Sequence, residues 1–377
     1  MPRILLNLDA LAHNAEQTRA LARLWNVDVL PVLKAVASHP ASMEVLRGHG
    51  FTRFGFAERA EPILFDGGPD VERVLIQLCP LSQAGLVVER FARSFQSTPE
   101  ALSSLDAAAA ALGRRHEVLL MVDLGDGREG LGIDEVADVL DGARRFRSIR
   151  IAGFGATLAC LGARGPDADV IRDMSRLKDL FAAKGVADPV VSAGGSIFCH
   201  WLDAHGAGPI TEVRLGDPFL LGEDIYLRQE LPGGPFRRDV CMITAEVLEV
   251  RTRMMSPTPR PILHHADGQE SPLPSAPALG RRVRALLDIG RFHTEAGDLA
   301  CILPGAEIVG LSSGYMVLDV TNCREPVDVG QEILFHPGYW AMARAFRTRS
   351  VTIAAMRDSD LPRQLQHGYL PPRRHVS

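Results

Sequence analysis

Between residue 28 and about residue 230, short apolar runs alternate with longer stretches whose apolar residues recur every three or four positions. The runs are DVLPVLKA (28–35), RFGFA (53–57), ERVLIQL (72–78), RSFQS (93–97), HEVLLMVDLG (116–125), IRIAGFGATL (149–158), PVVSAGG (189–195) and TEVRLGD (211–217). Short apolar runs bounded by turn residues read as buried strands, and the intervening three-to-four periodicity reads as helix. PASMEVLRGHG, TPEALSSLDAAAAALGRR and DADVIRDMSRLKDLFAAKG are such helical stretches, and two of them end at Gly, a common helix stop. Eight strands alternating with helices predict an α/β fold, a (β/α)8 TIM barrel. After LPGGPFRRD, near residue 232, the texture changes. VCMITAEVLEVRT, RVRALLDIG, AEIVGLSSGYMVLDVT and QEILFHP follow one another as strand-like runs without helices between them. The expected organisation is a barrel over residues 1–231 and a C-terminal β-rich domain over 232–377. The Pro-rich segment 256–280 reads as a long surface loop, and the tail LPPRRHVS as frayed.

One position breaks the pattern. The first run carries Lys34 behind Val27, Val29, Leu30, Val32 and Leu33. Burying an unpaired ammonium is expensive. Lys34 therefore either sits at the barrel mouth beside a carboxylate or uses its amine for chemistry. Active sites of (β/α)8 barrels lie at the C-terminal ends of the strands. Lys34, Arg128, Thr157, Cys160, the turn AGGS (193–196), Arg214 and Gly216 all fall at such ends. A Gly-Gly-Ser turn before a helix start exposes backbone N–H groups suited to a phosphate. A lysine facing a phosphate cradle suits covalent attachment of pyridoxal 5′-phosphate (PLP).

Composition narrows the setting. Hydrophobic residues make up 46% and charged residues 23% of the 377, which is ordinary for a globular protein. A net charge of −5 gives no electrostatic reason to expect nucleic acid. No apolar run is long enough to span a membrane, and the N-terminus lacks a signal-peptide pattern. Six scattered cysteines without a CxxC pair read as free thiols, so a cytoplasmic location is expected.

VLPVLKAVASH, MVDLGDGREGLG, VSAGGS and VRLGDPFLLG resemble the successive signatures of alanine racemase-type PLP enzymes of fold type III. IVGLSSGYMVLDVTNC (308–323) resembles the ornithine racemase branch in particular. The resemblance implies a PLP-dependent amino-acid racemase, acting by two-base proton transfer at Cα, with a basic substrate such as ornithine. It places Lys34 as the residue joined to the cofactor and Arg214 against the pyridine nitrogen. Gly194, Gly195, Ser196 and the Gly216–Asp217 backbone become the phosphate cradle, with Tyr339 reaching the phosphate from the second domain. An arginine at the ring stays protonated and cannot give the nitrogen a proton, which favours racemisation over decarboxylation. Arg128 resembles the arginine that supports the second base, an ion pair with Asp123 or Asp126 being the other reading. Tyr339 reads equally as a packed tyrosine.

Three departures stand out. Ser38 and His39 occupy the region where alanine racemases carry a tyrosine after the lysine. Arg291, in DIGRFHTE, stands at their catalytic tyrosine, and the ring-stacking histidine is replaced near Thr157. The second base is therefore sought among Tyr315, His293 and Cys160, the first two ranked ahead. The family further implies a homodimer in which the second domain of one subunit completes the barrel site of the other. A basic substrate needs an acidic group, for which Glu58, Asp217, Glu223 and Asp224 are candidates. A decarboxylase, an aldolase and a non-catalytic PLP carrier are the alternative readings. Arg214 argues against the first, the absence of an evident late metal-ligand pair against the second, and the second domain against the third.

Overall fold

A computed structural model describes residues 1–59, 68, 70–162, 164–255 and 280–362. The chain divides into two compact units, Leu8–Val240 and Met1–Asn7 together with Cys241–Ser377. The surface-loop reading of 256–280, except Gly280, and the reading of the tail lie outside the described residues.

The first strand, β1 (Arg3–Asn7), opens the chain and belongs to the second unit. The barrel strands are β2 (Asp28–Pro31), β3 (Arg53–Phe56), β4 (Glu72–Leu75), β5 (Arg93–Gln96), β6 (His116–Met121), β7 (Ile149–Thr157), β8 (Val190–Gly194) and β9 (Glu212–Leu215). They form one parallel sheet in the order β2-β9-β8-β7-β6-β5-β4-β3. Each of the eight apolar runs contains one of these strands, so the (β/α)8 architecture follows the hydropathy pattern. Among the described residues the helices of this unit are α1 (Leu8–Trp25), α2 (Pro40–Gly48), α3 (Ala84–Arg90), α4 (Pro99–Ala111), α5 (Val136–Ala143), α6 (Ala168–Ala183), α7 (Phe198–His205) and the single turn α8 (Asp217–Leu220). Their starts are built locally. Thr98 caps α4 by accepting the Ala101 N–H at 3.2 Å, and Asp167 caps α6 by accepting that of Val170 at 2.8 Å. Leu30, Val74, Phe95, Leu119 and Met121 pack as one buried cluster of the barrel. A two-residue hairpin, β10 (Glu223–Asp224) with β11 (Gln229–Glu230), follows α8.

The second unit is a sheet of β12 (Cys241–Met255), β13 (Gly280–Leu287), β14 (Leu299–Cys301), β15 (Glu307–Leu311), β16 (Met316–Asp319), β17 (Glu332–Pro337) and β18 (Thr352–Met356), together with β1. It runs in the order β14-β17-β12-β13-β16-β15, and β1 lies antiparallel to β12 and parallel to β18. Leu5 meets Met242 and Ala354 in register, and with Ile302, Leu334 and Leu361 it forms a buried core. A helix absent from the sequence reading, α9 (Tyr339–Arg347), follows β17 and buries Ala341, Met342, Ala345 and Phe346. No helix among the described residues is long and apolar enough to cross a membrane.

Candidate active site

The C-terminal ends of β7, β8 and β9 align Thr157, Gly194 and Arg214 in register. Arg214 is 6% exposed. Its Nη2 donates to Ala156 O at 2.9 Å and Thr157 Oγ1 at 2.7 Å, and its Nη1 to Ser192 O at 2.8 Å and Ser192 Oγ at 2.9 Å. The guanidinium carbon lies 4.7 Å from the centre of the Phe95 ring. Burial pushes Arg214 down to about 10, opposed mainly by the charge of Glu212. Gly194 is required by this arrangement: a Cβ there would fall 2.2 Å from Arg214 Nη2 and 2.9 Å from Thr157 Oγ1.

Lys34 does not continue β2. It opens a 3-10 turn, Lys34–Val36, just past the strand end. Its charge acts on Asp217, the first residue of α8. Burial raises the Asp217 carboxyl to about 6, while the Ser196 hydroxyl, donating to Oδ2 at 3.0 Å, and Lys34 pull it down. Of the predicted cradle, the Gly195 N–H donates to Arg214 O at 3.2 Å. Ser196 and Ile197 precede the first bonds of the α7 start, Phe198 N to Gly195 O and Cys199 N to Ser196 O. Gly216 closes against Val32, the residue after β2, where a Cβ would lie 2.6 Å from the carbonyl oxygen.

The loop after β6 is organised by carboxylates. Asp123 Oδ1 accepts the N–H groups of Gly125, Asp126 and Gly127 at 2.9–3.1 Å. Burial opposes ionisation of Asp123, but these donors outweigh it and hold the acid below its ordinary range. Asp126 reaches across to the loop after β7, where Oδ1 accepts the N–H groups of Cys160, Leu161 and Gly162. Neither is the partner of Arg128, as the ion-pair reading had supposed. Arg128 pairs with its neighbour Glu129, because both Asp side chains are already turned onto backbone amides. Cys160 is exposed, with Sγ 3.8 Å from the Tyr226 hydroxyl, and lies near both Arg128 and Arg214.

The remaining candidates belong to the second unit. The turn after β13 and the turn joining β15 to β16 are bonded to each other, Arg291 N to Ser312 O at 2.9 Å and Phe292 N to Ser313 O at 3.0 Å. His293 and Tyr315 are thereby brought into adjacent turns. His293 Nδ1 accepts the Gly290 N–H at 3.0 Å, and burial lowers the ring's pKa, so the imidazole is neutral with its proton on Nε2. Tyr315 is 51% exposed. Tyr339 starts α9 with its ring edge-on to Trp340. Among the acidic candidates, Asp224 is buried and its Oδ1 accepts the Tyr226 and Leu227 N–H groups, Glu223 pairs with Arg238, and Glu58 is exposed.

Two residues escaped the sequence reading. Ser192 Oγ donates to Glu212 Oε1 at 2.6 Å beneath Arg214. The signal was present: Glu212 and Arg214 stand two apart on one strand and so share a face. A cleft of about 690 Å³ lined by Asp28, Arg53 and Thr211 lies at the other, N-terminal end of the strands, away from Lys34.

These residues fit PLP. The charge of Lys34 acts on Asp217, Arg214 is fixed at the strand ends, and at Gly194 and Gly216 a side chain would collide with Arg214 and with the Val32 carbonyl. Comparison with known proteins agrees. Residues 6–218 match the model of the alanine racemase N-terminal domain, and the chain belongs to that family. It is 26% identical to an ornithine racemase of Acetoanaerobium sticklandii over 93% of this chain and 98% of that one. It is 25% identical to a lysine racemase of Thermotoga maritima over 91% and 95%. In fold it resembles an alanine racemase of Bartonella henselae crystallised with covalently bound pyridoxal phosphate, with a TM-score of 0.69 and 16% identity over 94% of this chain and 99% of that one.

Proposed function

We propose that this protein interconverts the L and D forms of a basic amino acid, ornithine or lysine. The coarser assignment, a PLP-dependent amino-acid racemase, rests on the family and on two full-length racemase relatives. The narrower one is carried by a single observation: both relatives, aligned over more than nine-tenths of the chain, are named for basic amino acids. Arg291, at the tyrosine position of alanine racemases, argues against alanine as the substrate.

In this reading Lys34 holds the cofactor and moves the proton on one face of the substrate Cα. Bound PLP supplies the electron sink that loosens the Cα–H bond. Arg214 would present an N–H to the ring nitrogen and, keeping its own proton, would not give it up to the ring. Asp217 and Ser196 hold the Lys34 side of the site. Tyr315 is the second base: its side chain is exposed, whereas His293 spends Nδ1 on its own turn. A proton leaves Cα on one face and another is returned on the opposite face, so the substrate is neither oxidised nor cleaved. A homodimer whose second domains complete the partner barrels, and a cytoplasmic location for a chain whose six cysteines are all free, belong to the same reading.

The test is chiral chromatography after incubating the PLP-loaded protein with a panel of L-amino acids. Ornithine and lysine should yield their D forms at higher kcat/KM than alanine. Racemisation of small neutral amino acids with none of basic ones would overturn the substrate, and carbon dioxide or aldehyde release without D-amino acid would overturn the reaction.

A further inference from the structure

Four of the N–H bonds of Arg214 are made to neutral groups, two carbonyls and two hydroxyls. A buried guanidinium without a compensating anion is costly. Among the described residues no carboxylate bonds to it directly. One hydroxyl away stands Glu212, 2% exposed, which accepts the Ser192 O–H at 2.6 Å. Because that single proton points to Glu212, Ser192 Oγ can only accept from Arg214 Nη1. The result is a directed chain, Arg214 N–H to Ser192 O–H to Glu212 carboxylate, in which each bond polarises the next. The far end is also held. Glu212 Oε2 makes no hydrogen bond among the described residues, but it lies 3.5 Å from Arg53 Nη1 and 3.7 Å from Arg93 Nη1. Arg53 is bonded in turn to Asp28, and Arg93 to Glu117, with Glu72 3.8 Å away. The chain thus runs from the first residues of β3, β5 and β9 to the strand ends where Lys34 stands.

We propose that Glu212 is a positioning residue for Arg214, acting through the Ser192 hydroxyl to fix the orientation and the charge of the guanidinium at the cofactor end of the barrel. This rests on the reading that Arg214 faces the cofactor ring. The other titratable groups facing Arg214 are Cys160, Arg128 and Glu129 in the two loops above it; the Arg128 charge opposes its own, and the Glu129 charge supports it.

The experiment follows the Arg214 guanidinium by nitrogen-15 NMR as pH is raised, in the full-length protein with and without PLP, its signal assigned by its loss in Arg214→Lys. Glu212→Gln and Ser192→Ala should each lower the proton affinity of Arg214 by about tenfold and speed hydrogen exchange of its N–H groups. The double variant should do no more than the larger single effect, because both act through one path. Glu44→Gln, whose carboxylate pairs with Arg47 on α2, is the control. Should Glu212→Gln fail to fold, Ser192→Ala decides alone, since it leaves the contacts of Glu212 with Arg53 and Arg93 in place. An unchanged Arg214 titration in Ser192→Ala, or additive shifts in the double variant, overturns the proposal. Racemase activity is scored separately, so a protein that shows the relay but racemises nothing refutes the proposed function and not the relay.

Discussion

Ser196 Oγ donates to Asp217 Oδ2 across 3.0 Å, joining the turn after β8 to the turn after β9 on the side of the site where Lys34 stands. Burial nevertheless lifts Asp217 from its ordinary 3.8 to about 6. An acid whose folded pKa is raised contributes stability that is full below the unfolded value and is lost as pH rises through the folded one. Wild-type protein freed of cofactor should therefore lose stability relative to Asp217→Asn between pH 4 and 6, by up to about 3 kcal/mol. Urea unfolding of both proteins from pH 3.5 to 8 checks this. A stability difference that stays flat across that range would show that burial does not raise this acid.

Gly194 leaves no room for a methyl group against Arg214, which four hydrogen bonds hold in place. Gly194→Ala should destabilise the protein by about 1–3 kcal/mol, as overpacking does, and should weaken PLP binding as the guanidinium is displaced. Gly85→Ala is the control, in α3 with nothing near its Cβ position, and should be neutral or slightly stabilising. Unfolding curves and a PLP titration read both effects. Equal behaviour of the two variants would mean that Arg214 yields freely.

Lys34→Ala should remove covalently held PLP while leaving the fold intact, since Lys34 lies in a turn beyond β2 rather than in the packed strand. Mass spectrometry after borohydride reduction should find the adduct on the Lys34 peptide in wild type and nowhere in the variant. Racemisation should fall by at least the roughly 10²–10⁴-fold expected for losing a general base. An adduct that survives the substitution places the linkage elsewhere.

Tyr315→Phe and His293→Gln separate the two candidates for the second base. Loss of Tyr315 should slow proton exchange on one face by about 10²–10⁴-fold with PLP binding preserved, measured by deuterium uptake from L and D substrate separately. His293→Gln should act mainly on stability, by about 1 kcal/mol, as the acceptor for the Gly290 N–H is altered. The reverse pattern would transfer the role to His293.

Eight apolar runs predicted eight strands, and each contains one, because a buried parallel strand needs only a few contiguous apolar residues and local spacing records that demand. The positions of Lys34, Gly194 and Arg214 at strand ends followed from the same pattern. What spacing could not say was which partner each side chain takes. Arg128 had three acids within five residues, and it pairs with Glu129 only because Asp123 and Asp126 turn onto amides, one of them in a loop over thirty residues away. Arg3–Asn7 precedes the first predicted strand, and the sheet it joins is set by Met242 and Ala354, far along the chain. Glu212 reaches Arg214 through Ser192, a residue of a different strand, once β8 and β9 are in register. Periodicity encodes which face a residue shows. Register between distant strands, which depends on packing the whole core at once, decides what that face meets.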